Sequence, residues 1–91
     1  MDINLCNEND LIRYKKALNS LQEGIEDINN VKIAFKYKTA FYSMIICNFF
    51  NDLFGEGTHE ILFGDCPSYD ITYNALEEFY NEIVEQKKRL N

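Results

Sequence analysis

The sequence predicts an all-α fold: a compact bundle of three long helices plus one short helix, with a glycine-rich corner before the short one. Three observations predict it. Apolar residues recur at gaps of three and four along two long stretches, and a broad apolar stripe lies near the C-terminus. Three of the four glycines fall between residues 55 and 64, at a boundary between such stretches. No linker, repeat or low-complexity tract divides the 91 residues, so a single helical domain spans 1–91. Helical segments are expected at about 10–28, 31–54, 58–63 and 69–89.

Ile3 and Leu5 fit either a short extended strand or a docking arm. Asn9 or Asp10 can then cap a helix, because a short side-chain acceptor satisfies N–H groups left open in the first turn. Leu11, Tyr14, Leu18, Leu21, Ile25 and Ile28 follow at gaps of 3, 4, 3, 4 and 3, a heptad seam. Arg13, Lys16, Asn19, Glu23 and Glu26 occupy the other face. Gly24 weakens this helix by about 1 kcal/mol relative to Ala, and Asn29-Asn30 ends it.

Residues 31–38 carry two patterns. Val31, Ile33, Phe35 and Tyr37 alternate with lysines and Ala34, as in a strand. Phe35, Thr39, Tyr42, Ile46, Phe49 and Leu53 recur at gaps of 4, 3, 4, 3 and 4, as in a helix. The longer seam decides for one helix over 31–54, since an isolated strand without a partner is unstable. A second apolar face runs through Ile33, Tyr37, Phe41 and Met44. Two readings of it stand: burial of a central helix between two neighbours, or an exposed surface that binds a partner or another copy.

Gly55 follows Leu53-Phe54, where a helix end favours a left-handed residue, and Gly57 gives a second free turn. Thr58 suits the cap of the short helix His-Glu-Ile-Leu-Phe, and Gly64 ends it. Phe54, Ile61, Leu62 and Phe63 are expected to plug the end of the bundle. Pro67 disfavours helix at Cys66, and Ser68 or Asp70 can cap the last helix. Leu76, Phe79, Tyr80, Ile83 and Val84 form its core-facing stripe, with Glu77, Glu78, Glu82 and Glu85 toward water. Lys87-Lys88-Arg89 suits the negative pole at its end.

Seven Phe and six Tyr supply a core without disulfide or metal, each buried ring removing about 150–250 Å² from water. A net charge of −6 opposes phosphate backbones and speaks against nucleic-acid binding. The carboxylates lie along helix surfaces mixed with Lys, not in the dense face of a DNA mimic. Cys6, Cys47 and Cys66 have no paired spacing. With Met-Asp-Ile-Asn lacking the regions of a signal peptide, they imply free thiols in a reducing cytoplasm. No apolar run reaches the roughly 20 residues of a membrane span.

Catalytic and ligand motifs are not legible. Gly55-x-Gly57 has an acid between its glycines and lacks both the third glycine of a dinucleotide loop and the Gly-Lys-Ser/Thr of a P-loop. His59 and Glu60 are adjacent on a helix and do not face each other. Cys6, His59 and Cys66 lack zinc-ligand spacing. Cys47, in an apolar helix, reads as a small core residue rather than a nucleophile. The expectation is a non-enzymatic interaction module without cofactor or metal.

Phe49-Phe50-Asn51-Asp52-Leu53-Phe54-Gly55-Glu56-Gly57-Thr58, then Ile61-Leu62-Phe63-Gly64, then a helix with Ala75, Phe79 and Ile83, resembles small proteins of Gram-positive phages and prophages. These look similar to phage tail assembly chaperones, small helical proteins that coat the long tape measure protein. The layout resembles theirs over roughly 9–90, and residues 49–64 carry the specific part. The resemblance implies a tape measure protein as partner, or self-association. Ile33, Tyr37, Phe41 and Met44 are the candidate partner-binding residues, with Gly55, Gly57, Thr58 and Gly64 as the structural corner. An alternative is a small phage inhibitor that binds a host or anti-phage defence protein.

Overall fold

Four helices, α1 (Glu8–Asn29), α2 (Phe35–Phe54), α3 (Thr58–Phe63) and α4 (Tyr69–Leu90), build the computed structural model, which describes residues 3–65 and 67–90. No strand occurs among the described residues, and the protein is all-α. Cys66 lies outside them.

Asn7, rather than Asn9 or Asp10, caps α1: its side chain accepts the Asp10 N–H at 3.1 Å. Glu8 and Asp10 then lie in the first turn, at the positive pole. Tyr14, Ala17 and Leu21 are buried, with Leu11, Leu18 and Ile25 packed beside them. Gly24 admits the neighbouring helix: a Cβ built there would lie 3.2 Å from the Ile45 side chain.

The second helix starts at Phe35, the first residue of its seam, four residues later than the expected start at 31. Val31–Ala34 are non-helical, and Ala34 is extended at φ −61°, ψ 144°. The chain leaves α1 at Asn29 and must turn back along it, which consumes these residues. The Ala34 carbonyl then accepts the Tyr37 and Lys38 N–H groups at 3.0 and 3.2 Å, and the helical ladder begins. Two contacts fix α1 and α2 as antiparallel. Arg13 near the start of α1 donates to the Leu53 carbonyl at 3.2 Å, and the Tyr42 hydroxyl meets Asn29 at the other end.

α4 runs alongside α2 in the same direction. Tyr69 lies 5.8 Å from Tyr42, Thr72 3.5 Å from Ser43, and Phe79 6.1 Å from Phe54. α2 is therefore the central helix, packed by α1, α3 and α4. The core is mainly aromatic. The Phe79 ring lies within 5.6–6.3 Å of Phe49, Phe50 and Tyr14, and Phe63 of α3 reaches Phe50 at 5.7 Å. Ile83 and Thr72 are fully buried; the Thr72 hydroxyl is satisfied by the Tyr69 carbonyl at 2.9 Å.

The N-terminal segment is a docking arm. Ile3 and Leu5 are buried, and the Gln86 amide of α4 clasps both: Nε2 donates to the Ile3 carbonyl at 2.5 Å and Oε1 accepts the Leu5 N–H at 3.0 Å.

Candidate functional site

Helical periodicity divides α2 into two faces. Ile46, Phe49, Phe50 and Leu53 point inward and are buried. Tyr37, Phe41 and Met44, at gaps of four and three, point the other way and are 56, 41 and 58% exposed. Among the described residues, no neighbouring helix covers this stripe. Ile33 is half-buried in the extended segment before α2, so it stands outside the stripe's helical register. Phe35, which the sequence assigns to the core seam, is 72% exposed. Its phase is inward, but α4 begins only at Tyr69, opposite Tyr42, and so does not cover Phe35; the first turn of α2 is tied only to the end of α1 among the described residues, where the Lys38 ammonium donates to the Asn29 carbonyl at 3.4 Å. Lys36 and Lys38 flank Tyr37 on either side of the stripe, about 100° away in each direction. The Lys36 ammonium lies 5.1 Å from the Tyr37 ring centroid, within cation–π range.

The glycine corner is built from backbone geometry. Gly55 has φ 110°, and Gly57, the residue before α3, is left-handed at φ 85°, ψ −5°. Gly64 follows α3 with φ 79°. Thr58 does not cap α3. It is buried as the first helical residue, and its hydroxyl donates back to the Gly55 carbonyl at 2.7 Å. The capping acceptor comes from α2: Asn51 Oδ1 takes the His59 N–H at 3.0 Å, and Asn51 Nδ2 lies 2.9 Å from His59 Nδ1. His59 is thus occupied in joining α3 to α2. Ile61 and Leu62 do not plug the bundle; they are 86 and 39% exposed. A six-residue helix presents one narrow inward face, and Phe63 takes it.

Two grooves flank α4. One, of about 500 Å³, lies between α1 and α4 and is lined by Tyr14, Leu18, Leu21, Leu76, Tyr73 and Tyr80. Tyr80, expected in the core stripe, is exposed on its edge. The Tyr73 hydroxyl is raised from its ordinary pKa by its hydrogen bond to Glu77 and by that carboxylate's charge. The other groove, also about 500 Å³, lies between α3 and α4. Phe50, Phe54, Phe63 and Phe79 line it, and Glu78 and Glu82, one helical turn apart, are exposed beside them. No lysine or arginine lines it. The sequence signal for this acidity is that residues 39–86 contain no Lys or Arg.

Among the described residues, no group of three or more His, Cys, Asp or Glu side chains is placed to hold a metal ion. No described helix is long and apolar enough to cross a membrane. Burial raises the Cys47 thiol above its ordinary pKa, which disfavours the thiolate.

No curated protein and no solved structure matches the chain. Its whole length, residues 1–91, matches a family of unknown function, DUF6673, and the chain belongs to that family.

Proposed function

We propose that this protein is a non-enzymatic interaction module that uses the exposed face of α2 to cover an apolar helical surface of a partner. The observation that carries the reading is the uncovered stripe Tyr37, Phe41 and Met44. Contiguous exposed apolar side chains on a small protein mark an interaction surface. A partner helix laid along the stripe removes them from water, and repetition along a long partner multiplies weak contacts. The carboxylates on α4 keep such a complex soluble.

The resemblance at residues 49–64 gives the biological context of this proposal: a phage or prophage morphogenesis factor similar to tail assembly chaperones, with a tape measure protein as the helical partner. The test is co-expression with a tape measure protein encoded beside the gene. The wild type should raise the soluble fraction of that protein, and Phe41→Asp with Met44→Asp should remove the gain. Equal solubility with wild type, variant and empty vector would sink the proposal.

A further inference from the structure

We propose that the groove between α1 and α4 binds a small lipophilic amine, its apolar body on the groove floor and its cationic head between Tyr14 and Glu77. The site does not use the α2 stripe and stands independently of the function proposed for it. One polar group points to a ligand. Tyr14 is only 6% exposed, and it lines the groove. Its hydroxyl has no hydrogen-bond partner among the described residues, although no fully buried side-chain nitrogen or oxygen there is left without one. The end of this otherwise buried side chain therefore opens to water, and the groove is the opening that it lines. Burial, then repulsion from the Tyr80 phenolate, raises the Tyr14 pKa above its ordinary value. At neutral pH the hydroxyl is thus an uncharged phenol that can donate or accept.

The surrounding groups set the chemistry of the occupant. Leu18, Leu76, Phe49 and Phe79 supply apolar lining. On the α4 side Tyr73, Glu77 and Tyr80 follow at gaps of four and three, so they stand in one row. Two exposed phenol rings thus flank one carboxylate, and no lysine, arginine or histidine lines the groove. Aromatic rings and a carboxylate attract a cation. An anionic head would instead meet Glu77 and a net charge of −6. Size sets the rest. The groove holds about 500 Å³, within the range of small-molecule sites. Its walls run from Tyr14 to Leu21 and from Tyr73 to Asn81, about 10–12 Å of helix at roughly 1.5 Å per residue. That is too short to seat a partner helix of several turns and long enough for a medium alkyl chain. The α3–α4 groove has a similar volume and two carboxylates, but no hydroxyl group lines it.

Titration of the full chain with decylamine, which is protonated at neutral pH, tests this by NMR chemical shifts. Decanol and decanoate are the chain-matched controls, and all three are kept below micelle-forming concentration. Decylamine should bind saturably, one molecule per chain, and shift Tyr14, Leu18, Tyr73 and Leu76 most. Decanol should bind more weakly, and decanoate most weakly. Tyr14→Phe keeps the ring and removes the hydroxyl, and Glu77→Gln keeps the shape and removes the charge. Each should weaken decylamine binding about two- to tenfold, the effect of one lost hydrogen bond. Glu77→Gln should leave decanol binding unchanged, which a general disturbance of the groove would not. Helical circular dichroism checks that both variants keep the fold. Four results would overturn the inference: equal affinity for the three probes, shifts spread over the acidic helix faces without saturation, shifts confined to the α3–α4 groove, or either variant binding decylamine as tightly as wild type.

Discussion

Phe79 of α4 meets Phe49 of α2 edge to face, with ring centroids 5.6 Å apart and planes at 77°. Phe79 also lies 5.9 Å from Phe50, 6.1 Å from Phe54 and 6.3 Å from Tyr14 of α1. One side chain therefore ties α4 to both helices of the antiparallel pair. Phe79→Ala should cost about 3 kcal/mol, the lower end for an aromatic truncation because the ring is only partly buried. Urea unfolding measures it. Tyr80→Ala, one residue along and 58% exposed, should cost well under half as much. Equal losses would refute the placement of Phe79 as the tie.

Gly57 precedes α3 with φ 85°, and a Cβ built there meets nothing within 4 Å. A substitution is therefore penalised by backbone conformation and not by crowding. Gly57→Val should destabilise the fold by about 1–2 kcal/mol, and Gly57→Asn by less, because Asn tolerates the left-handed region. Gly55→Ala, at φ 110°, should also lower the melting temperature. Unchanged thermal stability combined with lost partner binding would show that the corner is a binding site instead.

The four helices were legible because each has a distinct signal: a seam, a cap or a glycine break. What was not legible depends on where neighbours end. Phe35 has the phase of a core residue, and only the late start of α4 at Tyr69 leaves it uncovered. Ala17 is 1% exposed in α1 yet adds little to a hydrophobic pattern, because its side chain is a single methyl group. Thr72 reads as polar and is fully buried, since a helical threonine can satisfy its hydroxyl on a carbonyl one turn back. The α2 stripe was visible as a second apolar face. The grooves beside α4 were not, because they arise between elements distant in sequence.

Asn51 caps α3 from another helix, so its removal leaves the His59 N–H and ring nitrogen without their partner. Asn51→Ala should cost about 1–3 kcal/mol, the range for abandoning a partly buried polar group. His59→Ala keeps its backbone N–H on Asn51 Oδ1 and loses only the ring contact, so it should cost less. Chemical denaturation of both variants gives the order, and a reversed order would place the main contribution in the imidazole.

Gln86 holds the N-terminal arm through two backbone groups, Ile3 C=O and Leu5 N–H. Gln86→Ala should release the arm while the helices remain. Hydrogen exchange at the Leu5 amide should then accelerate strongly, with exchange at α2 core amides changed far less. Protection at Leu5 that survives the substitution would mean that burial of Ile3 and Leu5 alone seats the arm.

Asp10 links the arm, α1 and the end of α2. Its carboxylate accepts the Asn4 N–H at 3.0 Å and binds Arg13 at 2.8 Å, while Arg13 also reaches the Leu53 carbonyl. The Asn4 hydrogen bond, then Arg13, hold its pKa below the ordinary 3.8. A carboxyl with a depressed folded-state pKa contributes stability above its unfolded value, and the contribution disappears as pH falls through the folded one. The stability difference between wild type and Asp10→Asn should therefore be full at neutral pH, begin to shrink as pH falls through about 3.8, and vanish in stronger acid. Added salt should reduce the Arg13 part, since that pair is exposed. Unfolding titrations of both proteins across this range check the sign: a difference that grows toward acid pH would show that protonated, not ionised, Asp10 is the form the fold favours.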